Sequence, residues 1–226
     1  MKIRKHSAFT LIELLVVITI IAILAAFAVP AFSGFLAKGR MTDQMSNGRQ
    51  IFIGLRSYCS DASHGGKFPT YVDPDDANTL MTSSNEAFEA LMPRYIDNKR
   101  VFFNKNSNWC KPQPSTSETQ YKVLAGENDW VYVRGLTDSA SSNWPILANA
   151  FSPETKTYVK GSGEKGGVWK GANAVVVYAG GSAEIAETKE QGDVYMVKRV
   201  DQPTMNAFEK DDSWLAGDEI EVIYPK

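Results

Sequence analysis

The feature that most constrains this chain is an apolar run near its start. From Phe9 to Val29 it reads FTLIELLVVITIIAILAAFAV, 21 residues with a single charge, Glu13. As a helix that run is about 31 Å long, at about 1.5 Å per residue, close to a hydrocarbon core of about 30 Å. Lys2, Arg4 and Lys5 precede it. Basic flanks stay cytoplasmic, so the rest of the chain is expected on the far side of the membrane. A secretory signal peptide is the first alternative, and Ala25-Ala26-Phe27-Ala28 supplies an Ala-x-Ala match. The apolar stretch of such peptides is about 7–15 residues, however, shorter than this run. A plain single-span anchor explains the hydrophobicity but not Glu13. An unpaired carboxylate in a membrane helix costs on the order of 2.5–3.5 kcal/mol at mid-bilayer and less near an end. Its retention one turn into the run implies a positive partner that arrives later.

Charge and composition narrow the remainder. The chain has 226 residues and a formal net charge of −2. Lys2, Arg4 and Lys5 put +3 at the N-terminus, leaving −5 on the rest. An acidic body without a basic run does not suit a nucleic-acid surface, which needs clustered Lys and Arg. The two cysteines, Cys59 and Cys110, suit one disulfide in an exported chain, with two buried thiols as the alternative. The only histidines are His6 and His64. A catalytic triad or a two-His zinc site would have to be built on His64 alone, so an enzyme is not expected.

Ser7-Ala8-Phe9-Thr10-Leu11-Ile12-Glu13-Leu14 resembles the processing motif of class III signal peptides, found in type IV pilins and type II secretion pseudopilins. The resemblance implies a cytoplasmic leader, residues 1–8, cut between Ala8 and Phe9 by a membrane prepilin peptidase that also N-methylates Phe9. Glu13 then becomes the fifth residue, the assembly residue that pairs with the Phe9 amine of a neighbouring subunit. Pro30 becomes the family's helix bend. The family usually has Gly where this chain has Ala8. The implied partners are the peptidase, identical and related pilin subunits, an inner-membrane assembly platform and membrane lipid, with no nucleic acid. The implied location is the inner membrane, single-pass, with the head in the periplasm or at the cell surface.

Beyond Pro30, Met41, Met45, Phe52, Leu55 and Cys59 recur at near-helical spacing among Lys38, Arg40, Asp43, Arg49 and Arg56. The pattern predicts one helix from about Thr10 to about Ser60. Gly65-Gly66-Lys67-Phe68-Pro69 stops it. Tyr58-Cys59-Ser60-Asp61 followed by Gly-Lys-Phe-Pro resembles a stretch after the long helix of many major pseudopilins, which tilts the expectation toward a secretion pseudopilus. Asp73, Asp75 and Asp76 could bind calcium, a hard cation that prefers oxygen ligands, but a solvated acidic turn is the stronger expectation. No other cofactor is expected.

Ser83 and Glu86 form a capping box for a short helix, Ala87 to about Met92. RYIDNKRVFFNKNSNWCKP, with Cys110-Lys111-Pro112, resembles the strand and Cys-Pro-like element of a large-headed pseudopilin-like group. Strands are expected at Trp130–Val133, Ala174–Tyr178, Ser182–Ala186, Asp193–Val200 and Glu219–Tyr224, the second and third forming a hairpin over Gly180-Gly181. That large-headed group often has Asp-Gly in its hairpin, where this chain has Ala179-Gly180-Gly181. SASSNWP and VKGSGEKGG read as loops, the latter without the ending of a phosphate loop.

The expected fold is α+β and pilin-like: a long N-terminal helix, its first half transmembrane, packed on an antiparallel sheet of four or five strands. The expected segments are a leader (1–8), a transmembrane or filament-core helix (9–29), its amphipathic continuation (30–62) and an α+β head (63–226). The expected function is a subunit of a type II secretion pseudopilus. A surface type IV pilus subunit is the alternative, and a membrane-tethered enzyme or binding domain stands behind both.

Overall fold

The computed structural model describes residues 9–73, 76–111, 121–191 and 194–226. The chain divides into two compact units, the first ending at Met41 and the second running Thr42–Lys226. Helix α1 (Leu11–Ser60) is 50 residues long and continuous through Pro30. Its start is a capping box: the Thr10 hydroxyl accepts from Glu13 N–H at 3.3 Å, and the Glu13 carboxylate accepts from Thr10 N–H at 2.8 Å. Its end is Asp61, whose carboxylate caps a 3-10 turn at Ala62–His64 by accepting from Ser63 N–H at 3.2 Å. Gly65 follows at φ 57, a left-handed stop suited to glycine.

Among the described residues, nine strands and a second helix follow: β1 (Tyr71–Asp73), β2 (Asp76–Leu80), α2 (Ser84–Glu89), β3 (Trp130–Arg134), β4 (Pro145–Asn149), β5 (Asn173–Tyr178), β6 (Ala183–Glu187), β7 (Lys189–Gln191), β8 (Val194–Met196) and β9 (Glu221–Ile223). The main sheet is antiparallel, in the order β6-β5-β4-β3-β9. Strands β1 and β2 pair as one separate ribbon, β7 and β8 as another. The fold is therefore α+β with a five-stranded sheet.

Asp73 closes β1 and Asp76 opens β2, paired with each other, and Asp75 lies outside the described residues. Three sequence expectations need correction. The helix after the Ser83 cap is Ser84–Glu89, one turn earlier than expected, because a cap starts its helix at the next residue. The strand expected over Asp193–Val200 is only Val194–Met196, and it joins the small ribbon rather than the sheet. The place in the sheet goes to β4, where no strand was expected and only Pro145 fell in the expected SASSNWP loop. Every residue of Pro145–Asn149 is buried between β3 and β5. A strand covered on both faces shows no alternation, and proline at its first position is tolerated.

The hairpin over Gly180-Gly181 formed as expected. Its first strand is Asn173–Tyr178 and its second Ala183–Glu187. Gly181 sits at φ 90, which a side chain would strain, and the bond from Gly181 N–H to Tyr178 O (2.9 Å) closes the turn.

In the second unit, the buried face of α1 is Gln44, Gly48, Ile51, Leu55 and Tyr58. Steps of four and three residues keep this line on one side of the helix. Of the expected stripe, Met41, Leu55 and Cys59 are buried, whereas Met45 and Phe52 are only half-buried. Two glycines, silent in a hydrophobicity pattern, lie at the closest approaches. A Cβ on Gly48 would stand 2.8 Å from both the Trp130 ring and a Val177 methyl. One on Gly54 would stand 2.6 Å from Ile96. Buried amides tie the other elements in. Asn128 Nδ2 donates to Ser84 Oγ (2.8 Å) and Asn85 Oδ1 (3.1 Å), while Trp130 N–H donates to Asn128 Oδ1 (2.9 Å). Late in the chain, the Arg199 guanidinium holds Asp201 through Nε (3.0 Å) and Nη2 (2.7 Å) and also binds Asp211. It lies 4.5 Å over the Trp214 ring.

Candidate assembly site at the N-terminal helix

Residues Leu11–Ala28 form a helix long and apolar enough to cross a membrane, and none of that window is buried within the chain. Phe9 is 72% exposed and Leu11 89%. A soluble monomer rarely presents apolar surface on this scale, so something outside the chain must cover it. The uncovered surface outruns the apolar window: Phe32 is 64% exposed and Phe35 71%.

Glu13 is the one ionisable residue of this segment. In the single chain its Oε2 accepts from both Thr10 N–H and the Thr10 hydroxyl, each at 2.8 Å. This gives Glu13 an intrachain task that sequence reasoning passed over, although Thr-x-x-Glu at residues 10–13 is the usual capping-box signature. The carboxylate is held at the helix start, on the side where the residue-9 amine would be exposed by cleavage. The start of a helix also favours negative charge. Ala8 lies outside the described residues. Pro30 is within α1, and its side chain is not described.

The expected Cys59–Cys110 disulfide is not formed in this structure, in which both cysteines are free. Their surroundings differ. Cys59, near the end of α1, is influenced by Asp138 and Arg56. Cys110 closes its own loop, its Sγ 3.5 Å from Asn104 N–H, and faces Asp129. Burial raises both thiols, Cys110 to about 12, so both are held neutral.

Asp75 lies outside the described residues, and the Asp76 side chain is not described. Among the described residues no group of three or more His, Cys, Asp or Glu side chains is placed to hold a metal ion. His64 stacks on Tyr58 with ring centroids 3.6 Å apart, and its Nε2 is 3.5 Å from the Tyr95 hydroxyl. The Tyr58–Pro69 motif is a structural corner. Asp61 gathers Ser63 N–H, Ser63 Oγ (2.9 Å), Tyr95 OH (2.9 Å) and Arg94 (2.8 Å), and these bonds lower its carboxyl to about 2. Tyr132 OH donates to Pro69 O at 3.0 Å, fastening the corner to β3.

The family model described as the prokaryotic N-terminal methylation motif matches residues 3–29. A type IV major fimbrial protein, FimA, of Dichelobacter nodosus (strain VCS1703A) is 42% identical over 131 residues, covering 58% of this chain and 76% of that protein. Prepilin peptidase-dependent protein D of Escherichia coli (strain K12) is 45% identical over 65 residues, 27% of this chain and 41% of that protein. The type IV major pilin protein PilA of Myxococcus xanthus (strain DK1622) is 34% identical over 68 residues, 30% of this chain and 31% of that protein. No solved structure gives a significant match. An uncovered apolar helix that begins in a Thr-Glu cap, a methylation motif over its start and a fimbrial relative matched over three quarters of its length lead to one family: this chain belongs to the type IV pilins.

Proposed function

We propose that the chain is cut between Ala8 and Phe9, N-methylated on Phe9 and assembled as a subunit of a type IV pilus, with residues 9–36 in the filament core. One observation carries this reading: apolar surface stays uncovered past the membrane-length window, through Phe32, Phe35 and Leu36. Lipid would account for a stretch of about 30 Å. Apolar side chains beyond it call for protein, and further copies of the same helix supply a matching surface. The head then stands outside the inner membrane. Relatives named as a major fimbrial protein and a major pilin favour a surface pilus. The Tyr58–Pro69 corner favours the second reading, a secretion pseudopilus.

The processing step has a direct test. Mass spectrometry of the mature protein should show a chain that begins at Phe9, lacks Met1–Ala8 and carries one added methyl group. A mature chain that retains Met1, or that starts after Ala28, overturns the proposal. Immunogold labelling separates the two filament types. Labelled, shearable filaments outside the cell support the pilus. Label confined beneath the outer membrane, with exported proteins trapped in a deletion strain, supports the pseudopilus.

A further inference from the structure

Asp129, the residue before β3, is completely buried. Its Oδ2 accepts from Asn104 Nδ2 at 2.8 Å and from Asn149 Nδ2 at 3.0 Å. Its Oδ1 has no hydrogen-bond partner among the described residues. The backbone cannot swing the group out to solvent. Asp129 N–H donates to Phe102 O at 2.9 Å, and its carbonyl accepts from Ala150 N–H at 2.7 Å. The groups that face it are neutral or acidic. Ser107 and Cys110 come from the Asn104–Cys110 loop, and Tyr158 from the segment after β4. Nearby Glu127 has its own cation, Lys99, at 3.0 Å. A carboxylate here would be cut off from bulk solvent and, among the described residues, from a counter-ion, so the neutral acid is favoured. Protonation also turns the orphaned Oδ1 into a donor.

We propose that Asp129 is a proton-operated latch: as a neutral acid it holds the Asn104–Cys110 loop against the sheet, and loss of its proton loosens that loop. Burial raises the carboxyl to about 7, against the nearby Ser107, Asn104 and Asn149 side chains, which act to lower it. The unfolded chain gives up this proton near the ordinary carboxylate value of about 3.9. The stabilising proton therefore counts fully below about pH 4, and its effect is lost as pH rises to about 7. Asp61, Asp201 and Asp211 act oppositely, because their lowered carboxyls lose stability only as pH falls through the acid range. Between about pH 5 and about pH 7 the Asp129 effect stands apart from theirs. Nothing in this proposal rests on the filament reading.

The test uses the full chain in detergent micelles, unfolded with urea and followed by tryptophan fluorescence. All five tryptophans lie in Thr42–Lys226, so the signal reports that unit alone. One proton gives about a tenfold change in the unfolding constant per pH unit. From about pH 5 to about pH 7 the wild type should lose about fiftyfold relative to Asp129→Asn, which mimics the neutral acid, because the folded carboxyl is already half-ionised at about pH 7. Parallel pH profiles for the two proteins would overturn the latch. Should the variant not fold, infrared spectra of the wild type decide. A protonated-carboxyl band that persists at about pH 6, where exposed carboxyls are ionised, supports the proposal, and its absence refutes it.

Discussion

Replacing Glu13 with glutamine should abolish filaments while leaving a normal, membrane-inserted and cleaved subunit. Glutamine is the informative substitution because it can serve in a capping box as glutamate does. It keeps the bonds from Thr10 N–H and the Thr10 hydroxyl that start α1. Only the charge is lost. Glu13→Leu removes charge and cap together and makes the helix more apolar, so insertion should not suffer. In either variant the second unit, Thr42–Lys226, keeps its own sheet and buried contacts. On the proposed assembly, the element that should be missing is the partner for the Phe9 amine of the incoming subunit. A pair of opposite charges away from water is strong in Coulombic terms, much of which desolvation cancels, so it acts as a register device that is costly to break. The yield of sheared filaments should drop by on the order of a hundredfold in both variants. Cleavage, assayed in parallel, should continue. Normal filament yield from Glu13→Gln would show that the carboxylate acts through the Thr10 cap rather than through its charge. Thr10→Val would then become the more damaging change.

The parts of this molecule that were legible in the sequence are those whose chemistry is local. The apolar run and its lone Glu13 lie within a few helical turns and show in the sequence directly, and the resemblance of residues 7–14 to the processing motif picks out Phe9. The Gly180-Gly181 hairpin was legible because a turn requiring positive φ leaves glycine in the sequence. The end of α1 was legible through Gly65. What stayed hidden depends on distant partners. Strand β4 occupies the middle of the sheet, but a five-residue buried strand that opens on Pro145 carries neither alternation nor a strand-rich composition. Pairing Cys59 with Cys110 requires knowing where two remote segments meet, and the fold gives each sulfur different neighbours. Asp129 looks like an ordinary polar residue in GENDW. Only Asn104 and Asn149, brought from 25 and 20 residues away, reveal a buried acid. The Thr10 cap is the exception, a local signal that was readable and overlooked.

Gly48 should be the least tolerant glycine in α1. Glycine to alanine inside a helix normally stabilises by about 0.8–1.0 kcal/mol, through lower backbone entropy in the unfolded chain. At Gly39 that gain should be free of any steric cost, since an added Cβ meets nothing within 4 Å. At Gly54 the new methyl would meet Ile96 side-chain carbons at 2.6 and 2.7 Å. Those are the ends of a flexible chain that can turn aside, so the gain and the crowding should nearly cancel. At Gly48 the methyl would meet the Trp130 ring and a Val177 methyl, both at 2.8 Å. Trp130 is completely buried, and its Nε1 donates to Val101 O at 3.2 Å, so the ring has nowhere to go. Overpacking of this kind costs about 1–3 kcal/mol, more than the helix gains. Gly48→Ala should therefore destabilise the second unit by about 1–2 kcal/mol, and Gly48→Leu by about 3 kcal/mol or more. Urea unfolding read through tryptophan fluorescence gives the order directly: Gly39→Ala at wild type, since residue 39 lies outside the unit the tryptophans report, Gly54→Ala close to it, Gly48→Ala below it and Gly48→Leu lowest. A Gly48→Ala protein as stable as wild type would mean that α1 can lift off the sheet without loss. In that case the close approach at Trp130 would not be what fixes the helix on the β3–β5 face.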